Sequence, residues 1–131
     1  MKINHFGFLT KDINKSLIQF KILGFKQISE ITKDTLRGVD ILFISSSDTL
    51  IELVAPNCDD SVVKSLVKKQ SNSIYHICYE VDNLIEKIKE LEKEGFILID
   101  SPKPAPAFNN RLVAFMLSKS AGLIELLEVN K

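Results

Sequence analysis

The chain is one pattern written twice. Ile3-Asn4-His5-Phe6-Gly7-Phe8 resembles Ile74-Tyr75-His76-Ile77-Cys78-Tyr79 at an offset of 71 residues. Ile22-Leu23-Gly24-Phe25 resembles Lys93-Glu94-Gly95-Phe96 at the same offset. Leu50-Ile51-Glu52-Leu53-Val54 resembles Leu123-Ile124-Glu125-Leu126-Leu127 at an offset of 73. A two-residue insertion in a surface connection accounts for the change, because loops absorb length cheaply. Self-similarity of this kind restricts the fold before any single residue is considered: the same supersecondary unit is built twice.

The order of elements within each copy is legible. Residues 2–9 alternate and are rich in apolar side chains, which predicts a strand. Ile13, Leu17, Phe20 and Leu23 fall near helical spacing, with Asp12 or Asn14 as N-cap and Gly24 where a left-handed C-terminal residue belongs. Strands are predicted over 25–32, 38–45 and 49–55. The second copy gives a strand over 73–81, a helix capped at Asp82-Asn83 and ending at Gly95, and strands over 96–100, 111–117 and 122–129. Pro102, Pro104 and Pro106 predict a loop, too proline-rich for a central strand. Each copy is therefore β-α-β-β-β, with module 1 over 1–56, a linker helix within 57–72 (Ser61 to Lys69) and module 2 over 73–131. A unit of about 55 residues is marginal alone. The expected fold is α+β: a single domain over 1–131 in which two tandem modules form an open, curved eight-stranded sheet with a concave face for a ligand.

Composition narrows the class of function. Lys+Arg and Asp+Glu are 17 each, so the chain carries no net charge and lacks the broad basic field that nucleic acids or anionic membranes select. No apolar run reaches the roughly 20 residues needed to span a bilayer, and the N-terminus carries no leader pattern. The expected location is cytoplasmic, with Cys58 and Cys78 as free thiols.

The repeat also pairs the chemistry-bearing residues. The chain has two histidines, His5 and His76, at equivalent places in the two opening strands. Glu52 and Glu125 are equivalent in the two closing strands, each embedded in an apolar run where a carboxylate is costly to bury without compensation. Two imidazoles and two carboxylates form a donor set for a divalent ion such as nickel, cobalt, zinc, iron or manganese. Taken singly, each residue reads more readily as a packed core histidine or a solvent-facing edge glutamate than as a ligand. The coincidence of both pairs under one repeat favours the metal. Asn109, Asn110, Arg111 and Lys119 read as a solvated loop edge, or as contacts for a carboxylate or phosphate of a substrate. Phe6, Phe8, Phe43 and Phe115 read as core or as wall of the concave face.

The paired β-α-β-β-β units, "INHFGF", "TLIELVAP", "YHICYEVDN" and "GLIELLE" resemble the vicinal oxygen chelate superfamily, the glyoxalase I, methylmalonyl-CoA epimerase and bleomycin-resistance group. The resemblance covers nearly the whole chain. It implies that His5, Glu52, His76 and Glu125 hold one divalent metal ion (nickel, cobalt or zinc), in a homodimeric enzyme acting on a small thiol adduct or thioester. It implies abstraction of a proton next to a carbonyl, an enediolate whose charge the metal holds, and a glutamate as base: Glu125 first, Glu52 second. Within the group, "CDDSVVKSLVKKQSNSIYHICYEVDN" looks like methylmalonyl-CoA epimerase. Epimerases, however, carry a glycine-containing loop before the penultimate strand and an "HPK" turn after it. Here "APAFNNRLVAFMLSKSAG" has no histidine, and no glycine before Gly122. That departure tilts the expectation to a glyoxalase I-like lyase forming a lactoyl thioester from a hemithioacetal. The epimerase is the alternative, and a metal-free small-ligand binding protein the rival of another class.

Overall fold

A computed structural model describes residues 1–129 of the chain. The elements run β1 (Lys2–Leu9), α1 (Ile13–Ile22), β2 (Lys26–Gln27), β3 (Thr32–Asp34), β4 (Val39–Ser46), β5 (Thr49–Pro56), α2 (Lys64–Gln70), β6 (Ser73–Val81), α3 (Leu84–Lys93), β7 (Ile97–Ala105), a 3-10 turn (Pro106–Phe108), β8 (Arg111–Ser118) and β9 (Gly122–Glu128). Chain contacts divide it into two compact units. One is His5–Tyr75. The other joins Met1–Asn4 to the chain from His76 onward.

In the first unit β1 lies parallel to β5, β5 antiparallel to β4, and β2 and β3 both pair with β4. In the second, β6 lies parallel to β9, β9 antiparallel to β8, and β8 antiparallel to β7. Each is a mixed, open run of strands in an α+β module, as the repeat requires. The described residues hold nine strands rather than eight, because the stretch expected as one strand over 25–32 is broken. Only Lys26–Gln27 and Thr32–Asp34 pair, and between them Ser29 turns its hydroxyl onto the Phe43 N–H at 2.9 Å.

The helices begin where cap chemistry places them. Asp12 accepts from the Lys15 N–H at 3.1 Å, and Asn83 from the Glu86 N–H at 3.0 Å. Both end alike. Gly24 and Gly95 turn left-handed, and the N–H of Phe25 or Phe96 bonds back to the carbonyl of Phe20 or Leu91 at 3.0 Å. The two phenyl rings then pack on the module cores. Those cores carry most of the energy. A cap contributes about 1 kcal/mol, while a fully buried leucine contributes about 2–3 kcal/mol. In the first unit Ile13 and Leu17 of α1 meet Leu42, Ile44, Ile51 and Leu53. In the second, Leu84 and Ile88 of α3 meet Ala114, Met116, Ile124 and Leu126. Because strand side chains alternate, the residues between these face away from the helix.

Two local expectations are corrected. The linker helix begins at Lys64 instead of Ser61, because Ser61 accepts from the Val63 N–H as a turn. The strand expected over 96–100 runs on to Ala105, through Pro102 and Pro104. It lies at the end of its unit's strand order, where the missing N–H groups have no second neighbour to serve. The last two residues of the module expected over 73–131 lie outside the described residues. Both cysteines are thiols, Cys58 exposed and Cys78 buried. Among the described residues no helix is long and apolar enough to cross a membrane.

The turn between β3 and β4 is held by a buried ion pair that the sequence reading did not single out. Arg37 Nη1 donates to Asp34 Oδ2 at 2.8 Å, and the Arg37 N–H to Asp34 Oδ1 at 3.0 Å. The following segment clamps the turn through Asn57 N–H to Gly38 O and Val62 N–H to Arg37 O. Gly38 has φ +69°, and a Cβ there would sit 2.8 Å from the Ser61 Cα and from Cys58 Sγ. Gly24 is also left-handed but meets nothing within 4 Å. Gly38→Ala is therefore expected to cost about 3 kcal/mol or more, since backbone must move, and Gly24→Ala about 1–2 kcal/mol from conformation alone. Urea unfolding midpoints of the two variants check the order.

Candidate metal centre

The parallel pairing that closes each module sets a histidine and a glutamate side by side. In the first unit Gly7 is the register partner of Glu52, and His5 lies two residues earlier on the same face of β1. In the second unit Cys78 is the partner of Glu125, with His76 two residues earlier. A small residue thus stands beside each glutamate, leaving room for the imidazole to lean across. His5 Nε2 lies 3.5 Å from Glu52 Oε1, and His76 Nε2 3.0 Å from Glu125 Oε1. All four residues are at least 96% buried.

Each pair is walled by a phenylalanine. Phe43 is the antiparallel partner of Glu52, and its ring meets His5 edge-on at 5.9 Å between centroids and 77° between planes. Phe115 is the partner of Glu125 and meets His76 at 5.3 Å and 84°. From sequence alone both rings read only as core or wall. Their equivalence under the 71–73-residue offset was the signal that could have singled them out.

One donor atom from each of His5, Glu52, His76 and Glu125 lies within 4.8 Å of every other. The set fits a divalent ion. Ligands about 2.1 Å from one ion sit about 3 Å apart when adjacent and about 4.2 Å apart when opposite, so the two His–Glu separations already match adjacent ligands. With neutral imidazoles the set carries two negative charges, which a divalent cation neutralises. Buried carboxylates need such compensation.

The other sequence-predicted residues are not brought together. Asn110 and Arg111 are exposed, and the Arg111 Nε donates to the Phe108 carbonyl at 3.2 Å. Lys119 is exposed beyond the far end of β8, whose eight residues span about 23 Å. Asp40, the acid near the start of β4, belongs to the helix-side parity of that strand. It accepts from Asn57 Nδ2 at 2.9 Å.

The fold and this donor set place the chain in a superfamily. A family model, described as the Glyoxalase/Bleomycin resistance protein/Dioxygenase superfamily, matches residues 4–115. The chain belongs to that superfamily. It is 33% identical over 130 residues to a mitochondrial methylmalonyl-CoA epimerase of Dictyostelium discoideum, covering 97% of this chain and 78% of that protein. A hypothetical protein from Bacillus halodurans superposes with a TM-score of 0.85 at 26% identity, covering 99% and 95% of the two chains. A methylmalonyl-CoA epimerase from Mycobacterium tuberculosis shares the fold at TM-score 0.83 and 21% identity, covering 98% and 88%.

A divalent ion that binds only the folded protein raises its stability, by about 2.7 kcal/mol at a hundred times its dissociation constant. Added nickel, cobalt or zinc is expected to raise the melting temperature of the chelator-treated protein. His76→Ala and Glu52→Gln are expected to abolish most of that rise. Calorimetric scans with and without metal check both.

Proposed function

We propose that this protein is a metal-dependent epimerase of the methylmalonyl-CoA epimerase type, rather than the glyoxalase I-like lyase to which the sequence alone leaned. The observation that carries the reading is that the buried His–Glu pairs occur in a chain 33% identical, over 97% of its length, to a methylmalonyl-CoA epimerase. One part of the departure that favoured glyoxalase I, the loop without a glycine, has an explanation in the backbone. Asn109 and Asn110 have φ +56° and +63°. Asparagine tolerates the left-handed region best after glycine, so the loop makes its turn without a glycine.

The substrate is then a 2-methylmalonyl thioester, and the reaction inverts the carbon between thioester and carboxylate. Glu125 takes the proton from that carbon. The C–H bond breaks, an O–H bond forms on the glutamate, and the electron pair delocalises onto the thioester oxygen. A proton carried by the carboxyl of the second candidate, Glu52, then passes to the opposite face of the planar carbon: that O–H bond breaks, a C–H bond forms, the electron pair returns from the thioester oxygen, and the other epimer results. No oxidant or co-reactant is consumed. His5, Glu52, His76 and Glu125 would hold a divalent ion, which supplies positive charge where negative charge develops on oxygen. Burial beside Phe115 keeps the Glu125 carboxylate away from bulk water.

Glu125→Gln preserves shape and removes the base. It is expected to lower exchange of the α-hydrogen of methylmalonyl-CoA for solvent deuterium by about 10²–10⁴-fold with little change in circular dichroism. Wild-type protein that leaves methylmalonyl-CoA unexchanged but converts a methylglyoxal hemithioacetal would reverse the choice between the two reactions.

A further inference from the structure

Resting on that reading, we propose that Lys103, held by Asp100, is the residue that receives the free carboxylate of the malonyl thioester. Asp100 ends the strand expected over 96–100, and Lys103 lies in the proline-rich stretch expected as a loop. The structure makes them part of β7, and the register defines their face. Asp100 is the direct partner of Phe115, and Phe115 of Glu125. Lys103 is the partner of Val113, and Val113 of Leu127. Directly opposed residues share a face of a sheet. Asp100, Lys103, Phe115 and Glu125 therefore stand on the face away from α3, whose own contacts are Ala114, Met116, Ile124 and Leu126.

Lys103 and Asp100 form an ion pair, with side chains 42% and 26% exposed. The ammonium is thus confined to this face while still open to a ligand. Two strand spacings and two residues along the chain put the Lys103 backbone about 12 Å from that of Glu125. A lysine stem reaches about 6 Å, so its head can approach Glu125 across the Phe115 ring. The substrate demands such an arrangement. In a 2-alkylmalonyl thioester the carboxylate is one bond from the carbon that loses its proton. Its negative charge opposes further charge on that carbon and is costly to desolvate beside a phenyl ring. A cation there offsets both effects. Lysine has three donors, so it can bind the incoming carboxylate and keep Asp100. The other two basic candidates, Arg111 and Lys119, stand beyond opposite ends of this row.

The test compares binding of malonyl-CoA and of propionyl-CoA, which lacks the carboxylate, to metal-loaded wild type, Lys103→Met, Lys103→Gln and Lys103→Arg by calorimetry. Wild type is expected to favour malonyl-CoA by about tenfold or more, the range of one charge-assisted contact. Lys103→Met and Lys103→Gln are expected to bring the two ligands within about threefold, and Lys103→Arg to restore most of the preference. Methylmalonyl-CoA kinetics should show the loss of Lys103 mainly in KM. Preference retained in both neutral variants, or absent in wild type, overturns the assignment. Absence of α-hydrogen exchange in wild type, with the Lys103-dependent preference intact, would overturn the epimerase reading and leave the carboxylate seat standing.

Discussion

Everything at the candidate site depends on one pairing, made once in each module: the first strand lies parallel to the last. Parallel neighbours are slanted in register, so a residue on one strand shares a face with a residue far away in sequence. That geometry sets Gly7 beside Glu52 and Cys78 beside Glu125. The histidine two residues back then meets the carboxylate on a buried face. A one-residue slip in either pairing would turn the glutamate toward the helix. The apolar cores of α1 and α3 prevent such a slip, because it would also expose Leu53 or Leu126, both fully buried.

The cost of this arrangement explains its composition. Four ionisable side chains in apolar strands are a poor way to stabilise a domain. The modules offset that cost with two aliphatic clusters on the helix faces, and they wall each histidine with a phenylalanine. The chemistry proposed here uses the same tension. Carboxylates kept from water beside a cation site can give and take protons on carbon, and a solvated carboxylate would not do so as readily.

The two modules are not copies in every respect, and the differences fall where substrate is proposed to bind. Glu52 has a glycine beside it, Glu125 a buried cysteine. Phe43 is buried, while Phe115 is partly exposed. The second module alone extends its edge strand through two prolines and sets the Asp100–Lys103 pair in line with Phe115. Along the chain those prolines predict a loop, since proline interrupts a central ladder. Strand position in the sheet, which decides whether the lost N–H matters, is not written locally. Asn109 and Asn110 misled for a related reason: the absence of glycine looked like a different loop, yet asparagine also adopts a left-handed backbone.

The sequence by itself determined the repeat, the order of elements, where the helix caps fall to within a residue or two, and the four residues His5, Glu52, His76 and Glu125. These are set by periodicity, turn chemistry and equivalence between two copies, all readable along one dimension. Only the tertiary structure decided how far β7 runs, which aromatic rings wall the histidines, that Asp34 and Arg37 pair beneath a turn, and that Lys103 shares a face with Glu125. Those facts depend on which strand lies next to which and in what register, and hydrogen bonding between distant segments fixes them where no local propensity can.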